Sequence, residues 1–429
     1  MIVLSMNRSN QLSRPASKVF PKVVVRLGWV SLFTDAATEM IYPLLPAFLR
    51  ALTGSVRGGA AWLGVMEGVA ESVSAAVKWW AGGLSDRAGS RKPFVVAGYA
   101  IASLVRPLLA LAATPLQVVL VRATDRVGKG VRSAPRDALL AAAVDARARG
   151  AAFGFHQMMD NIGAVIGPLL AFALARGLGW PLRWIFAAAI VPGLVALATV
   201  IRVPEETSGA PKGAASFGGE PRPEAAPSAS PALPPAARRY LAIVAIFTLG
   251  ASADSFLLLR MIDVGLPEAW LPLAWLSLSA SKAATNLPGG RLSDRFGRRP
   301  TLVAAWVVYA SAYALFPLTS SLAGSWALLV AYGAYYGLAE GGEKAIVADL
   351  AGPSARGRAY GALHAVTGAA VLPANALFGA LYARHVGWAF GASAACALIA
   401  AAALAVARWP GERGEREAPD DRDEETAAA

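Results

Sequence analysis

The chain has 429 residues, of which 56% are hydrophobic and only 16% charged, with a net charge of +12 and a mean hydropathy of +0.48. A soluble protein carries about a quarter charged residues, so this composition points away from a soluble fold and toward bilayer spans of about 20 apolar residues. The basic surplus lies in short segments beside apolar runs, where it orients helices in a membrane, and this excludes nucleic acid as the partner.

Residues 1–23 hold Arg8, Arg14, Lys18 and Lys22 but no long apolar core, and read as a basic cytoplasmic tail rather than a cleaved signal peptide. Twelve apolar spans follow, at 24–50, 61–84, 93–113, 115–141, 150–176, 181–202, 239–262, 269–290, 300–320, 324–350, 357–383 and 388–408. Backbone groups in lipid must be satisfied internally, so each span is expected as a helix and the protein as all-α. Residues 24–202 and 239–408 then hold six spans each. The segment 203–238 is rich in Pro, Gly, Ala and Ser and reads as a flexible cytoplasmic linker. Residues 409–429 read as a disordered charged cytoplasmic tail. The single cysteine, Cys396, leaves no disulfide framework and no zinc cluster.

Ionisable residues inside spans are costly and mark function or structural pairing. Span 1 carries Asp35 and Glu39, one turn apart on one helix face, ahead of Pro43 and Pro46, which are expected to kink it. These acids are placed to take a proton, a cation or a basic partner. Span 2 carries Glu67, Glu71 and Lys78, and span 3 carries Arg106 before Pro107. Span 4 is the most charged, with Arg122, Asp125, Arg126, Lys129, Arg132, Arg136 and Asp137. Its basic side chains fall within about 120° of one face. Such a stripe lines a wet cavity or a polar interface. Acids and bases balance within each half, so acids on spans 1, 2 and 5 are its expected partners, and the stripe alone does not establish an anionic cargo. Span 5 carries His156, Asp160, Gly163, Gly167 and Pro168. Span 7 carries Asp254 and Arg260, span 8 carries Lys282, and span 10 carries Glu340, Glu343 and Lys344.

The connections alternate in charge. Arg87, Arg91, Lys92, Arg147, Arg149, Arg291, Arg295, Arg298, Arg299, Arg356 and Arg358 fall on one side, whereas 112–115 and 319–324 on the other carry none. The positive-inside rule places the basic side and both termini in the cytoplasm, as in a bacterial-type inner membrane. The chain also repeats. Gly82–Lys92, G-G-L-S-D-R-A-G-S-R-K, returns at Gly290–Arg299 as G-R-L-S-D-R-F-G-R-R, and Asp86 maps onto Asp294 at an offset of 294 − 86 = 208. Arg149 to Gly154 lies over Arg356 to Gly361 at an offset of 207. Two halves of one orientation are expected, related by an axis along the membrane normal.

The duplicated pattern G-x-L-S-D-R-x-G-x-R resembles the loops between helices 2 and 3 and between helices 8 and 9 of the major facilitator superfamily. The resemblance covers about residues 24–408. It implies two six-helix bundles of transmembrane helices related by pseudo-twofold symmetry, with a cytoplasmic gate at Asp86, Arg87, Arg91, Asp294, Arg295 and Arg298. Arg122 and Gly128 match a family signature R-x-x-Q-G-x-G, with Asp125 in place of Gln and Arg126 in place of the first Gly. The match makes Arg122 the candidate for the family's proton-coupling arginine. Gly163, Gly167 and Pro168 resemble part of the family's export signature, with Ala171 replacing the last glycine. At the offset of 207, Arg136-Asp137 lies over Glu343-Lys344 with charges swapped. Pairs Arg136–Glu343 and Asp137–Lys344 would make a breakable cytoplasmic latch; two local pairs are the other reading.

The expected function is secondary active transport by alternating access, with substrate near the midplane between the halves. The first expectation is proton-coupled antiport that exports a small organic molecule; the second is transport of an organic anion or metal chelate. Proton and substrate coupling is expected among Asp35, Glu39, Glu71, Lys78, Arg106, Arg122, Asp125, Arg126, Asp160, Asp254 and Lys282. No cofactor or metal is expected. A proton gradient is the expected energy source, since no G-x-x-x-x-G-K-[ST] loop occurs. No H-E-x-x-H or G-x-S-x-G motif points to an enzyme. A transport-dead sensor would add a soluble domain, for which the linker and tail lack apolar residues. The expected partners are a small-molecule substrate, protons and the lipid bilayer, with the chain acting as a monomer.

Overall fold

The computed structural model describes residues 20–88, 90–144, 149–204, 233–339, 342–351 and 356–407, without the side chains of 79, 82–88, 149–150, 344, 348 and 356–358. The expected tails and linker lie almost wholly outside the described residues. Every described element is helical. The first half runs through α1 (Lys22–Ile41), a 3-10 turn (Tyr42–Leu44), α2 (Leu45–Thr53), α3 (Val56–Ala88), α4 (Lys92–Val105) and a 3-10 stretch (Arg106–Leu111). It continues through α5 (Pro115–Ala142), α6 (Arg149–Phe172) with a closing π turn (Ala173–Gly177), α7 (Leu182–Ala188) and α8 (Ile190–Ile201). The second half holds α9 (Pro235–Gly250), α10 (Ser255–Asp263), α11 (Leu271–Phe296) and α12 (Arg298–Leu315). It ends with α13 (Leu322–Ala339), α14 (Gly342–Ala351), α15 (Arg356–Arg384) and α16 (Val386–Val406).

Local chemistry accounts for the ends and breaks. Pro43 and Pro46 lack the N–H that a continuous first span would need, so it becomes α1, a turn and α2. Pro115 opens α5 behind Thr114, whose hydroxyl accepts from the Gln117 N–H at 3.4 Å while the Gln117 side chain accepts from the Thr114 N–H at 3.2 Å. The span at 181–202 is parted at Ala189, one residue after the carbonyl that Pro192 would crowd. The span expected as continuous over 239–262 is broken at 251–254, where no proline signals it. Side chains from distant helices satisfy the freed backbone there. Asn375 Oδ1 accepts from the Ala253 N–H at 2.9 Å, and the Tyr309 hydroxyl accepts from the Ser252 N–H at 3.4 Å.

Among the described residues, eight helical stretches are long and apolar enough to cross a membrane. They fall on spans 3, 5, 6, 7 and 9 to 12. Spans 1, 2, 4 and 8, at α1–α2, α3, α5 and α11, are helical but too polar by that measure, because they carry the internal charges. These polar helices build the site.

The packing of one half recurs in the other. In the first, α1 packs on α6, α3 on α5 and α4 on α8; in the second, α9 packs on α15, α11 on α13 and α12 on α16. The halves meet where α3 lies on α15 and α6 on α11. Their approach is uneven. A Cβ at Gly64 would overlap the Asn375 carbonyl, and one at Gly379 would sit 2.6 Å from the Ala60 carbonyl. Three turns along α15 from Gly379 on the same face, a Cβ at Gly368 meets Ala75 at an ordinary 3.4 Å. Two turns further, one at Gly361 meets nothing within 4 Å. The halves therefore form a wedge, shut at the end where Arg50 Nη1 meets Asp263 Oδ1 at 3.3 Å and the Tyr382 hydroxyl donates to Asp263 at 2.6 Å. They part toward the end that carries the duplicated loops. Gly64→Val is expected to cost about 1–3 kcal/mol by overpacking this seam. It should lower the thermal midpoint and slow transport together; an unchanged midpoint would show that the seam is not this tight.

Candidate functional site

The site is organised by α5, which its neighbours approach closely. A Cβ at Gly98 of α4 would lie 2.6 Å from the Gly128 carbonyl, and one at Gly130 would lie 2.7 Å from Val77 of α3. Glycine at these places lets backbones touch, and the basic face of α5 is brought against acids on α1 and α3. Asp125, 1% exposed, accepts from Arg106 Nε at 2.8 Å and Arg122 Nη1 at 3.4 Å. Arg106 also donates to the Thr34 carbonyl at 3.2 Å. Arg126 meets Glu71 at 3.3 Å. The Arg132 guanidinium lies 4.4 Å from the centre of the Tyr99 ring, and that of Arg122 lies 5.3 Å from that of Tyr42.

Between the halves a cavity of about 190 Å³ is walled by Asp35 and Glu39, by Arg106, Arg126, Lys129 and Arg132, and by the rings of Tyr42 and Trp275. Trp275 comes from α11. Its indole N–H donates to Glu39, and its ring sits 4.8 Å from Tyr42. Arg122, the residue singled out from the sequence motif, is buried behind Asp125 and is not part of this wall. Several buried guanidinium donors have no protein acceptor: Nε and Nη1 of Arg132, Nε of Arg126, and Nε and Nη2 of Arg122. Each buried donor left unmet costs about 1–3 kcal/mol, and two of the arginines concerned, Arg132 and Arg126, line the cavity.

A second cluster lies in the other half. Asp254, at the break between α9 and α10, accepts from Lys282 Nζ at 2.6 Å, Tyr332 at 2.8 Å and Tyr336 at 3.0 Å. Lys282 also stands over the Tyr336 ring at 3.7 Å and the Trp275 ring at 5.5 Å. The two clusters touch at Trp275 and again where the Ser255 hydroxyl donates to buried Glu67 at 3.0 Å. Asp160 receives the Ser31 hydroxyl and lies 3.6 Å from His156 Nδ1. Lys78 is exposed on α3, within electrostatic reach of Glu71 and Arg126.

Of the expected gate, the side chains of Asp86 and Arg87 lie outside the described residues. Arg91 is half-buried just before α4, and Asp294 and Arg295 are exposed at the end of α11. Arg298 pairs with Asp349. Arg136 is held by its chain neighbour Asp137 at 2.8 Å, the local pair rather than one across the halves, as the parting of the halves at this end requires. The Glu343 carbonyl accepts from the Tyr240 hydroxyl at 3.0 Å; the Lys344 side chain is outside the described residues. Gly163 and Gly167 are where α6 lies on α1, the second 2.6 Å from the Ala36 carbonyl for an added Cβ, and Pro168 is buried beside them.

The sequence pattern placed Lys129 and Arg132 on the basic face without singling them out. Tyr42, Trp275, Tyr332 and Tyr336, and the Arg50–Asp263–Tyr382 clasp, carried no signal beyond residue type. The seven-residue spacing of Trp275 and Lys282 puts both on one face of α11 and is the one pattern that could have linked them.

A family model described as Major Facilitator Superfamily matches residues 27–281 and 270–428. An uncharacterized MFS-type transporter, MJ1317, of Methanocaldococcus jannaschii is 30% identical over 384 residues, covering 88% of this chain and 92% of that protein. A probable 4-methylmuconolactone transporter of Cupriavidus pinatubonensis is 30% identical over 311 residues, covering 69% of each. Among solved structures, a bacterial homologue of the human lysosomal transporter Spinster, inward-facing and occupied, superposes with a TM-score of 0.68 at 18% identity, covering 89% of this chain and 95% of that one.

Proposed function

This chain belongs to the major facilitator superfamily, and from that membership we propose that it is a proton-coupled secondary transporter whose cargo is a small organic anion, carried between the halves by alternating access. The family makes it a membrane transporter and not an enzyme. The observation that carries the anionic reading is the cavity at Arg132 and Arg126, whose buried N–H donors have no protein acceptor. Size supports a small cargo. Sites for drug-sized ligands run to about 300–1,000 Å³, and this cavity is about 190 Å³. The relative named for 4-methylmuconolactone also handles a small organic compound. The basic connections support a reading in which the open end of the wedge, and both termini, face the cytoplasm of a bacterial-type inner membrane.

Export in exchange for protons is the second reading, favoured by Gly163, Gly167 and Pro168. Their close seat on α1 serves either direction of transport, so the cavity supports the reading of the cargo and the motif bears only on direction. Purified protein in liposomes under an imposed pH difference tests both. Labelled benzenesulfonate, which has no neutral form to leak, should move, and an organic cation of similar size should not. Accumulation on the alkaline side marks proton and anion travelling together; accumulation on the acid side marks exchange. Movement of the cation with benzenesulfonate left behind would overturn the anionic cargo.

A further inference from the structure

We propose that a cavity at the shut end of the wedge binds a phosphate group, carried by a phospholipid or free in solution, and that its occupant ties the two halves together there; the second clause rests on the alternating access proposed above. The cavity is about 650 Å³ and shares no lining residue with the one that holds Arg132. Its wall carries Arg57, Arg260, Arg384 and His385 and, among the described residues, no carboxylate.

These basic groups share one cavity because several helix ends meet there. Arg57 sits in the first turn of α3, Arg260 in the last turn of α10 and Arg384 in the last turn of α15. His385 follows as the cap of α16. The Arg260 guanidinium is fixed: Nη2 donates to the Pro317 carbonyl at 3.1 Å and to the Thr319 carbonyl at 2.9 Å, while Nε is buried without an acceptor. Arg57 and Arg384 are exposed and enter no ion pair among the described residues. Asp263, the acid beside this cavity, is already taken by Arg50 and the Tyr382 hydroxyl. Guanidinium forks match the paired oxygens of a phosphate, and three of them here have no protein carboxylate in the wall to satisfy.

The rest of the wall favours a phosphate with carbon attached. Val56, Pro317, Leu318 and Val386 line it, and a bare ion would leave that apolar surface uncovered. Leu318 is 76% and Trp388 58% exposed, and the Trp388 ring lies 5.7 Å from that of His385. An exposed indole at a span end marks headgroup level in a bilayer, where basic pockets between spans hold lipid phosphates. Arg57 belongs to the first half, and Arg260, Arg384 and His385 to the second. Tyr382, in the same wall, is the residue whose hydroxyl completes the Arg50–Asp263 clasp. Parting the halves at this end would carry Arg57 away from Arg260 and Arg384. A ligand that touches both sides therefore binds the shut form better, and it favours that form by the same factor.

The test uses the full chain in a neutral detergent at fixed ionic strength, with no cargo present. Calorimetry should show one saturable site for dihexanoyl phosphatidylglycerol, about tenfold tighter than for the zwitterionic dihexanoyl phosphatidylcholine. Inorganic phosphate is the second probe: binding as tight as the lipid's assigns the site to the free ion, and weaker binding assigns it to the lipid. Saturable binding of neither overturns the site. Arg57→Gln and Arg384→Gln, at exposed positions, should each weaken binding about fivefold. Arg176→Gln, at the same end of the molecule but outside the cavity, should not; equal losses in all three would mean adsorption to a basic surface and overturn the site. Asp263→Asn reads the tie, because Asp263 does not line the cavity. Removing its negative charge would by itself tighten the binding of an anion, whereas loosening the clasp weakens it. Weaker binding in Asp263→Asn is the expected result; unchanged or tighter binding overturns the tie and leaves the site standing. None of these readings depends on the cargo, so a failure of the anionic reading is seen separately, in the liposome experiment.

Discussion

Replacing Asp125 with asparagine should destabilise the protein by about 3–5 kcal/mol, the usual consequence of removing one partner from a buried ionic group. Asp125 is the carboxylate that Arg106 and Arg122 share, and these three are 1%, 4% and 3% exposed. Two guanidiniums facing a neutral amide would repel each other with little water to screen them. Arg122 already has two donors unmet, so it has few alternatives. Thermal unfolding of the detergent-solubilised variant measures the loss. The double variant Asp125→Asn with Arg106→Gln should be less damaged than the two losses added, because one orphaned charge has been removed. A loss below about 1 kcal/mol in the single variant would mean that Glu67 or another acid takes over, and that Asp125 is not the keystone of the basic face.

Arg132→Gln should weaken binding of benzenesulfonate by about 10–100-fold while leaving the fold intact. A hydrogen bond to a charged group contributes about 1.5–3 kcal/mol, which is that range of affinity. Arg132 is suited to this role because it lines the cavity, its Nε and Nη1 have no protein acceptor, and its guanidinium rests on Tyr99. Arg132→Lys keeps the charge but not the two-pronged donor geometry, so it should recover only part of the loss. Calorimetric titration of both variants reads the result. Binding within twofold of wild type in Arg132→Gln would move the anion to Arg126 and Lys129.

The apolar spans, the duplicated loop and the position of the most charged helix were all legible in the sequence, because each depends on composition or spacing within one segment. The basic face of α5 could be read as a face at 100° per residue, but not its depth. Arg122 matches a family signature and Arg132 does not, yet Arg132 is the one that lines the cavity. The departure at Asp125 makes sense only once Arg106 is known to stand opposite, nineteen residues away in the chain. Trp275 gave no warning at all: an indole in an apolar span looks the same whether it meets lipid or Glu39 of the other half. The break at 251–254 was invisible for a related reason. Its backbone partners, Tyr309 and Asn375, lie 57 and 122 positions away, and no local rule anticipates them. The break at Ala189, by contrast, had Pro192 to announce it.

Asp35 and Glu39, which share the cavity wall with four basic side chains, also bear on what would power the proposed transport. A proton and a monoanion that cross together are electrically neutral. Membrane voltage, worth about 2.3 kcal/mol for each elementary charge moved through 100 mV, then does no work on the loaded crossing. A carrier coupled in the proposed way would respond to acidity alone and be blind to the electrical half of the gradient, so a cell could hold its cargo steady through swings in voltage that would reverse the flow of a charged complex.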